Sequence, residues 1–386
     1  MKNATRRIRI LHIVGGMSRG GIETWLMHIL RHADRERFQM DFLVHTAQPC
    51  PYDDEVRALG GKIIPCLHPA YPWRYARNFR RALGAHGPYD IVHSHVHHYN
   101  GYVLRLARRV GVPMRIAHSH VDVMPQDATP SLLRRAYLAT GKRWICCHAT
   151  IGLACSGAAA AALFGARWRS DARLSLLYYG IDPEPFRAHA NGSVRAELGL
   201  PTDTFVIGHV GRFDEQKNHR FLLEIIHDVA KAKPRCRLLL IGVGSLQPAI
   251  ERRAAELGLA SRVIFAGPRS DVPRVLRGAV DAFVMPSLCE GLPVAALEAQ
   301  AAGVPTFLAD TISVETDVVP QLVKRLSLSQ PPDVWARALL AAPREPRPIS
   351  PAEALEAVER SPFNICKGVA QLQQLYASGT TTSISR

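Results

Sequence analysis

Short, predominantly apolar runs alternate along this chain with longer segments whose apolar positions recur every three or four residues. In the first half the runs are IRILHIVG, QMDFLVH, KIIPCL, DIVHSH, PMRIAHSH and ATIGLACS, with helical patterns such as GGIETWLMHILRHA and NGYVLRLARRVG between them. The second half repeats the scheme with FVIGHVG, RLLLIGVG, RVIFAG, AFVMPS and PTFLAD, separated by segments such as HRFLLEIIHDVAKAK and LQPAIERRAAELG. A strand with one wet face alternates apolar and polar residues. A strand apolar throughout is covered on both faces, as in a parallel sheet with helices on either side. The pattern predicts an α/β chain with two Rossmann-like, doubly wound parallel-sheet domains, and a length of 386 residues fits two.

The boundary is expected near YYGIDPEPFRAHANGSVRAELGLP, rich in proline, glycine and aspartate, with the next strand opening at Phe205. That gives a first domain over residues 1–185, a second over 186–345, and a linker, terminal helix and tail over 346–386. The proline-rich SQPPDVWARALLAAPREPRPISPAEA reads as a mobile linker. An amphipathic helix over roughly 362–377 is expected to pack back on the first domain.

No run reaches the roughly 18 to 20 apolar residues that a spanning helix needs. The start, MKNATRRIRILHIVGGMSRGG, is basic and then apolar, but its apolar part is short and no cleavage site follows, so it reads as the lead-in to a buried strand. A cytoplasmic chain is expected. The eight cysteines form no C-x-x-C pair or regular framework, which favours buried thiols over disulfides. Net charge is +15 but unevenly placed: residues 1–190 hold 26 Lys+Arg against 13 Asp+Glu, and the remainder 22 against 20. A basic first half points to an anionic partner surface, membrane or nucleic acid.

Three loops follow strands where open parallel sheets bind ligands. In VGGMSRGGIET, Gly20 and Gly21 precede a helix, so backbone amides can approach a phosphate; a plain tight turn would look the same. In VGRFDEQKN, Arg212 and Lys217 can converge on one anion, or stand as solvated loop charges. In MPSLCEGLPVAALEAQAAGVP, Pro293 fits a first helical turn and Gly303 ends the helix. Glu290 then lies in the loop and Glu298 on the helix. Each carboxylate can accept two hydroxyl hydrogen bonds from a sugar diol, or the pair can be an end cap and an exposed helix residue.

Taken together and in order, PSLCEGLPVAALEAQAAGVP, GHVGRFDEQKNH, LLLIGVG and GGMSRGGIET resemble the retaining family 4 glycosyltransferases of GT-B fold, over roughly residues 8 to 340. The closest likeness is to bacterial exopolysaccharide and capsule members. The resemblance implies two Rossmann-like domains facing across a cleft. It also implies transfer of a hexose-type sugar from a nucleotide-diphosphate sugar, UDP- or GDP-linked, to a lipid-linked or oligosaccharide acceptor. Glu290 and Glu298 match the family's E-x7-E motif: Glu290 beside the donor sugar, Glu298 on the ribose. Arg212 and Lys217 match the diphosphate-binding pair, Gly21 the glycine loop closing over that diphosphate, and Gly291, Leu292 and Pro293 a backbone contact to sugar or phosphate. A histidine of RIAHSH meets the donor sugar, His118 being the first choice and His120 the alternative. His95 is either on the acceptor side or structural. The reaction implied is a front-face one needing no metal and no other cofactor. The chain departs from the family pattern at Tyr179, where asparagine is usual, and at Gly242-Val243-Gly244, where the middle residue is usually aspartate.

A zinc site built from His93, His95, His97 and His98 is disfavoured, because alternate strand residues form a ladder and not a tetrahedron. In YPWRYARNFRRALGAHG, Arg74, Arg77, Arg80 and Arg81 fall at helical spacing among Trp73, Tyr75 and Phe79. Such a helix can lie on an anionic inner leaflet, or can be a solvated basic face with its aromatics packed inside. No nucleic-acid motif and no dinucleotide G-x-G-x-x-G fingerprint occurs, which weighs against a nucleic-acid binder and a dehydrogenase. A nucleotide-sugar 2-epimerase of the same fold is the enzymatic alternative.

Overall fold

Every run picked out above as a strand contains one in the computed structural model, which describes residues 6–120, 131–187, 193–342 and 349–381. The first seven strands are β1 (Ile8–Val14), β2 (Phe38–Val44), β3 (Ile63–Pro65), β4 (Ile91–Ser94), β5 (Met114–Ser119), β6 (Ile151–Ala154) and β7 (Leu174–Leu176). They form one parallel sheet in the order β3-β2-β1-β4-β5-β6-β7. The second sheet contains β8 (Phe205–Val210), β9 (Cys236–Ile241), β10 (Val263–Phe265), β11 (Ala282–Met285), β12 (Thr306–Ala309) and β13 (Val323–Leu326), ordered β10-β9-β8-β11-β12-β13 and again parallel. The sequence pattern misses β7 and β13. Both are edge strands with exposed positions, Ser175 and Lys324, so the apolar signal is diluted.

The chain divides into two units at Gly180/Ile181 and again at Asn364/Ile365. In each unit the sheet winds outward in one direction and then restarts on the other side of its first strand. The reversal lies between β1 and β4 in the first unit and between β8 and β11 in the second. Loops leaving the carboxyl ends of those strands diverge there and leave a crevice.

One face of the first sheet is an ordinary apolar core. Leu11, Ile13, Leu43, Val92 and Ala117 pack with Tyr75, Phe79, Val103 and Leu104. Because side chains alternate along a strand, the opposite face carries His12, His93 and His118. The helix Ile365–Thr381 covers part of that second face. Its Ile365, Val369, Leu372 and Tyr376 recur at helical spacing and are buried, against β1 and the helix Gly21–His32.

Residues 343–348 of the proline-rich stretch lie outside the described residues. On either side of them the stretch is helical and not a linker: it includes the helix Pro332–Ala341, with Trp335 fully buried, and the start of the helix Pro351–Arg360. The second opens with a capping box: the Ser350 hydroxyl accepts from the Glu353 amide at 3.2 Å, and the Glu353 carboxylate accepts from the Ser350 amide at 2.9 Å. This helix seats against the helix Val294–Ala301. At the junction Gly303 is left-handed, φ +72°, and a Cβ there would fall 2.8 Å from Pro351 Cα.

Candidate functional site

In the second unit the crevice at the sheet reversal is walled by two loops, one after β8 and one after β11. Phe213 is fully buried and anchors the first loop, ringed by His219 at 5.0 Å and Phe265 at 6.0 Å. The loop after β9 packs directly beneath it. Gly242 has φ +140°, and a Cβ there would lie 2.0 Å from the Gly211 carbonyl; one at Gly244 would lie 2.3 Å from the Phe213 carbonyl. Both glycines of Gly242-Val243-Gly244 are therefore required by close backbone approach, whatever a ligand needs.

The two walls are joined by polar contacts. The Leu288 amide donates to the Gln216 carbonyl at 2.8 Å. The Gln216 side-chain amide donates to the Cys289 carbonyl at 2.8 Å and to the Glu290 carboxylate at 3.4 Å. Asn218 takes a left-handed conformation, φ 54°, which asparagine tolerates, and its side-chain amide donates to the Pro286 carbonyl at 3.2 Å. Lys217 Nζ donates to Glu290 Oε1 at 2.5 Å, with the lysine side chain 15% and the carboxylate 6% exposed.

Arg212 behaves differently. Its side chain is 69% exposed, and its ion pair with Asp214 is loose at 3.5 Å. The predicted cation pair thus splits into a lysine held in the wall and an exposed arginine held only loosely by Asp214. Gly291, Leu292 and Pro293 are buried behind Glu290 and lead into the helix Val294–Ala301, with Pro293 as its N-cap. Glu298 sits on that helix, partly buried, and no hydrogen bond or ion pair to its carboxylate occurs among the described residues. Burial pushes that carboxyl up to about 7. His209, in β8, is a site neighbour that the sequence reading passes over. Its Nδ1–H donates to the Val284 carbonyl at 2.8 Å, which fixes the tautomer, and burial keeps it neutral. A polar residue inside an otherwise apolar buried strand was the available signal.

In the first unit Gly21 is exposed and opens the helix Gly21–His32 behind Gly20. A Cβ at Gly21 would meet nothing within 4 Å, so the fold itself does not demand glycine there.

His95, His118 and His120 belong to a larger cluster. In-register pairing sets His12 beside His93, and His93, His95, His118 and His120 follow on the same face of β4 and β5 and just beyond their ends. His97 and His98 do not join the ladder: β4 ends at Ser94, and both lie in a short turn, His97–Tyr99. The ladder expected from DIVHSHVHH is thus cut short, and cross-strand partners that no local spacing reveals complete the group. His12 Nδ1 and His95 Nε2 are 3.0 Å apart, His95 Nδ1 and His120 Nε2 2.8 Å, and His93 Nε2 and His118 Nδ1 3.1 Å. Tyr376 hydrogen-bonds His93 Nδ1 at 2.7 Å, and Tyr179 hydrogen-bonds His120 Nδ1. Trp25 packs across the rings, 5.1 Å from His118 and 5.2 Å from Tyr179. Desolvation first, then the neighbouring imidazoles, holds His93, His95 and His118 neutral well below their usual range, and burial pushes His12 to about 3. Tyr179, which departs from the family pattern, is part of this cluster and not a free contact.

On the helix Pro72–His86, Arg74, Arg77, Arg80 and Arg81 are all exposed, while Tyr75 and Phe79 are fully buried. Trp73 is 72% exposed beside Tyr71 at 49%. No helix among the described residues is long and apolar enough to cross a membrane.

Comparison with known proteins agrees with this geometry. The family model for a glycosyl transferase 4-like domain matches residues 20–180, and that for glycosyl transferases group 1 matches residues 192–357. The protein assigned as glycosyltransferase EpsF in Bacillus subtilis (strain 168) is 39% identical, over 88% of this chain and 89% of its own length. A UDP-Gal:alpha-D-GlcNAc-diphosphoundecaprenol alpha-1,3-galactosyltransferase from Escherichia coli is 25% identical, over 80% of this chain and 81% of its own. The crystal structure of Anabaena HepE in complex with UDP-glucose superposes with a TM-score of 0.80 at 17% identity, covering 96% of this chain and all of that one. WaaG, a glycosyltransferase of lipopolysaccharide biosynthesis, gives 0.68 at 16% identity, over 97% and 98% of the two chains. With both domain models in order along the sequence and the two-sheet architecture to match, the chain belongs to the family 4 glycosyltransferases of GT-B fold.

Proposed function

We propose that the chain moves a hexose-type sugar, with retention of configuration, from a nucleoside-diphosphate sugar to a lipid-linked saccharide acceptor in exopolysaccharide or capsule synthesis. The observation that carries this is the Lys217–Glu290 pair together with an exposed Arg212, loosely paired with Asp214, at the reversal of the second sheet. As the glycosidic bond breaks, negative charge gathers on the leaving diphosphate. Arg212 can fork onto it, and Lys217 stands beside it as a point charge that, at 15% exposure, counts for more than in solvent. Two cations of the chain, with no metal or other cofactor, then stabilise the leaving group. Glu290 orients and electrostatically supports the sugar, and Glu298 accepts from the ribose hydroxyls. The HepE complex with UDP-glucose and the undecaprenol-linked acceptor in the name of the Escherichia coli relative support the donor and acceptor classes.

The acceptor class gives the basic face a purpose. Exposed Trp73 and Tyr71 among Arg74, Arg77, Arg80 and Arg81 suit a peripheral contact with an anionic inner leaflet, each arginine near the surface contributing about 1 kcal/mol. Flotation with anionic liposomes is expected, weakened by R77A/R80A/R81A; equal binding to neutral vesicles would refute the contact. The function itself is tested by incubating the chain with a panel of nucleotide-sugars. Nucleotide release accelerated by a lipid-linked saccharide is expected. Conversion of the donor without any acceptor would instead mark an epimerase.

A further inference from the structure

We propose that His95, His118 and His120 form a binding site for a first-row divalent cation of the zinc type. One ring nitrogen from each lies within 4.8 Å of those from the other two. The three imidazoles stand at the carboxyl ends of adjacent strands, so the sheet fixes their backbones and side-chain rotation alone brings the nitrogens together. A tetrahedral zinc about 2.0–2.1 Å from each nitrogen needs them roughly 3.3 Å apart.

The hydrogen bonds assign the ligand atoms. His118 Nδ1 is engaged by His93 Nε2 at 3.1 Å, whose Nδ1 meets the Tyr376 hydroxyl at 2.7 Å. That leaves His118 Nε2, a buried nitrogen with no hydrogen-bond partner. His95 Nε2 is engaged by His12 Nδ1 at 3.0 Å, and His120 Nδ1 by the Tyr179 hydroxyl. In the metal-free chain one of His95 Nδ1 and His120 Nε2 carries the proton of the hydrogen bond between them; a bound cation requires that imidazole to shift its proton to its other nitrogen, onto the His12 or Tyr179 contact, so that His118 Nε2, His95 Nδ1 and His120 Nε2 all present lone pairs. Metal-bound histidines are held in this way, the far nitrogen donating to a partner that fixes tautomer and ring orientation. His95 Nδ1 and His120 Nε2 are only 2.8 Å apart, so two lone pairs there repel unless a proton or a cation sits between them.

The donor set matches the class of ion. Three neutral imidazoles suit zinc, copper or nickel and offer nothing to magnesium or calcium, which take oxygen. Three protein ligands also leave one coordination position open. His95 and His120 are 6% and 7% exposed, whereas His12, His93 and His118 are fully buried, so the edge of the cluster at His95 and His120 is where an ion enters.

The test strips the purified full chain with a chelator, dialyses it against zinc chloride and counts metal per chain, with a parallel titration by Co2+ followed in its visible d–d absorption. The expected result is one zinc per chain and a Co2+ spectrum of tetrahedral intensity. H95Q and H120Q are expected to weaken binding more than about tenfold and H227Q to leave it unchanged. Circular dichroism checks that the variants fold. Should H95Q not fold, the imidazole 15N shifts of the wild type decide, because zinc must move those of His95, His118 and His120. Less than about a tenth of an equivalent of zinc, or zinc that survives H120Q and shifts no ring nitrogen, overturns the proposal and leaves a histidine hydrogen-bond network only.

Discussion

Removing Lys217 while Glu290 stays tests whether the pair organises the crevice. In K217M the ammonium 2.5 Å from Glu290 Oε1 is lost, and a carboxylate only 6% exposed keeps, among the described residues, a single weak partner, the Gln216 side-chain amide at 3.4 Å. Stranding a buried charge costs about 3–5 kcal/mol, and the 15% exposure of the lysine places this case near the lower end, about 3 kcal/mol. In E290Q the lysine keeps its charge but can extend toward solvent, so the cost is about 1 kcal/mol. In K217M/E290Q no charge is stranded, and the double variant should be more stable than K217M by about 2 kcal/mol. For a unit of this size, 1 kcal/mol moves Tm by about 2–4 °C. Calorimetry of the second unit's transition should therefore show K217M down by about 6–12 °C and the double variant recovering about 4–8 °C. A double variant whose loss equals the sum of the single losses would refute the coupling.

Three further outcomes follow from the same geometry. Glu298 is protonated in both folded and unfolded chains below pH 4.5; between 4.5 and about 7 only the unfolded chain releases its proton, so stability falls through that window and stays low above it. E298Q should be the more stable protein at pH 8, by at most about 3 kcal/mol, with no difference by pH 4, while nucleotide affinity of the wild type rises through pH 7 and that of E298Q stays flat; urea melts and calorimetric titration read the two. The five clustered histidines stay neutral in the folded state, His12 and His120 down to about 3, so as pH falls below 6.5 the unfolded chain takes up protons that the folded chain refuses. Stability is full above that pH and should drop by about 1.4 kcal/mol per pH unit for each histidine, giving acid unfolding of the first unit with uptake of about five protons, measured as the slope of stability against pH. G242A, with φ +140° and a Cβ 2.0 Å from the Gly211 carbonyl, should cost about 3 kcal/mol or more in urea unfolding, whereas G21A meets nothing within 4 Å and should slow transfer at unchanged stability.

The fold was legible because its signal is local. Buried parallel strands are apolar along their whole length, and RLLLIGVG or FVIGHVG announces itself without reference to the rest of the chain. The site loops were legible for the same reason: Arg212 and Lys217 share one loop, and Glu290 and Glu298 lie on one loop and the helix that follows. Long-range partners were not. Nothing near Lys217 points to Glu290, 73 residues on. Tyr376 meets His93 across 283 residues, and His12 and His118 reach the cluster only through strand order. The helix Pro351–Arg360 was missed although Ser350 and Glu353 stand at capping-box spacing, because the surrounding prolines read as a linker; Pro351 in fact occupies the first turn, where proline is tolerated.

The role given to Glu290 is settled most directly by the transfer rate of E290Q, measured with saturating nucleotide-sugar and acceptor after its fold has been verified. With the carboxylate supporting the sugar as charge develops, the rate should fall about 100-fold or more while nucleotide binding changes little. A variant that keeps nearly the full rate would show that Glu290 does no more than hold Lys217 in the wall of the crevice.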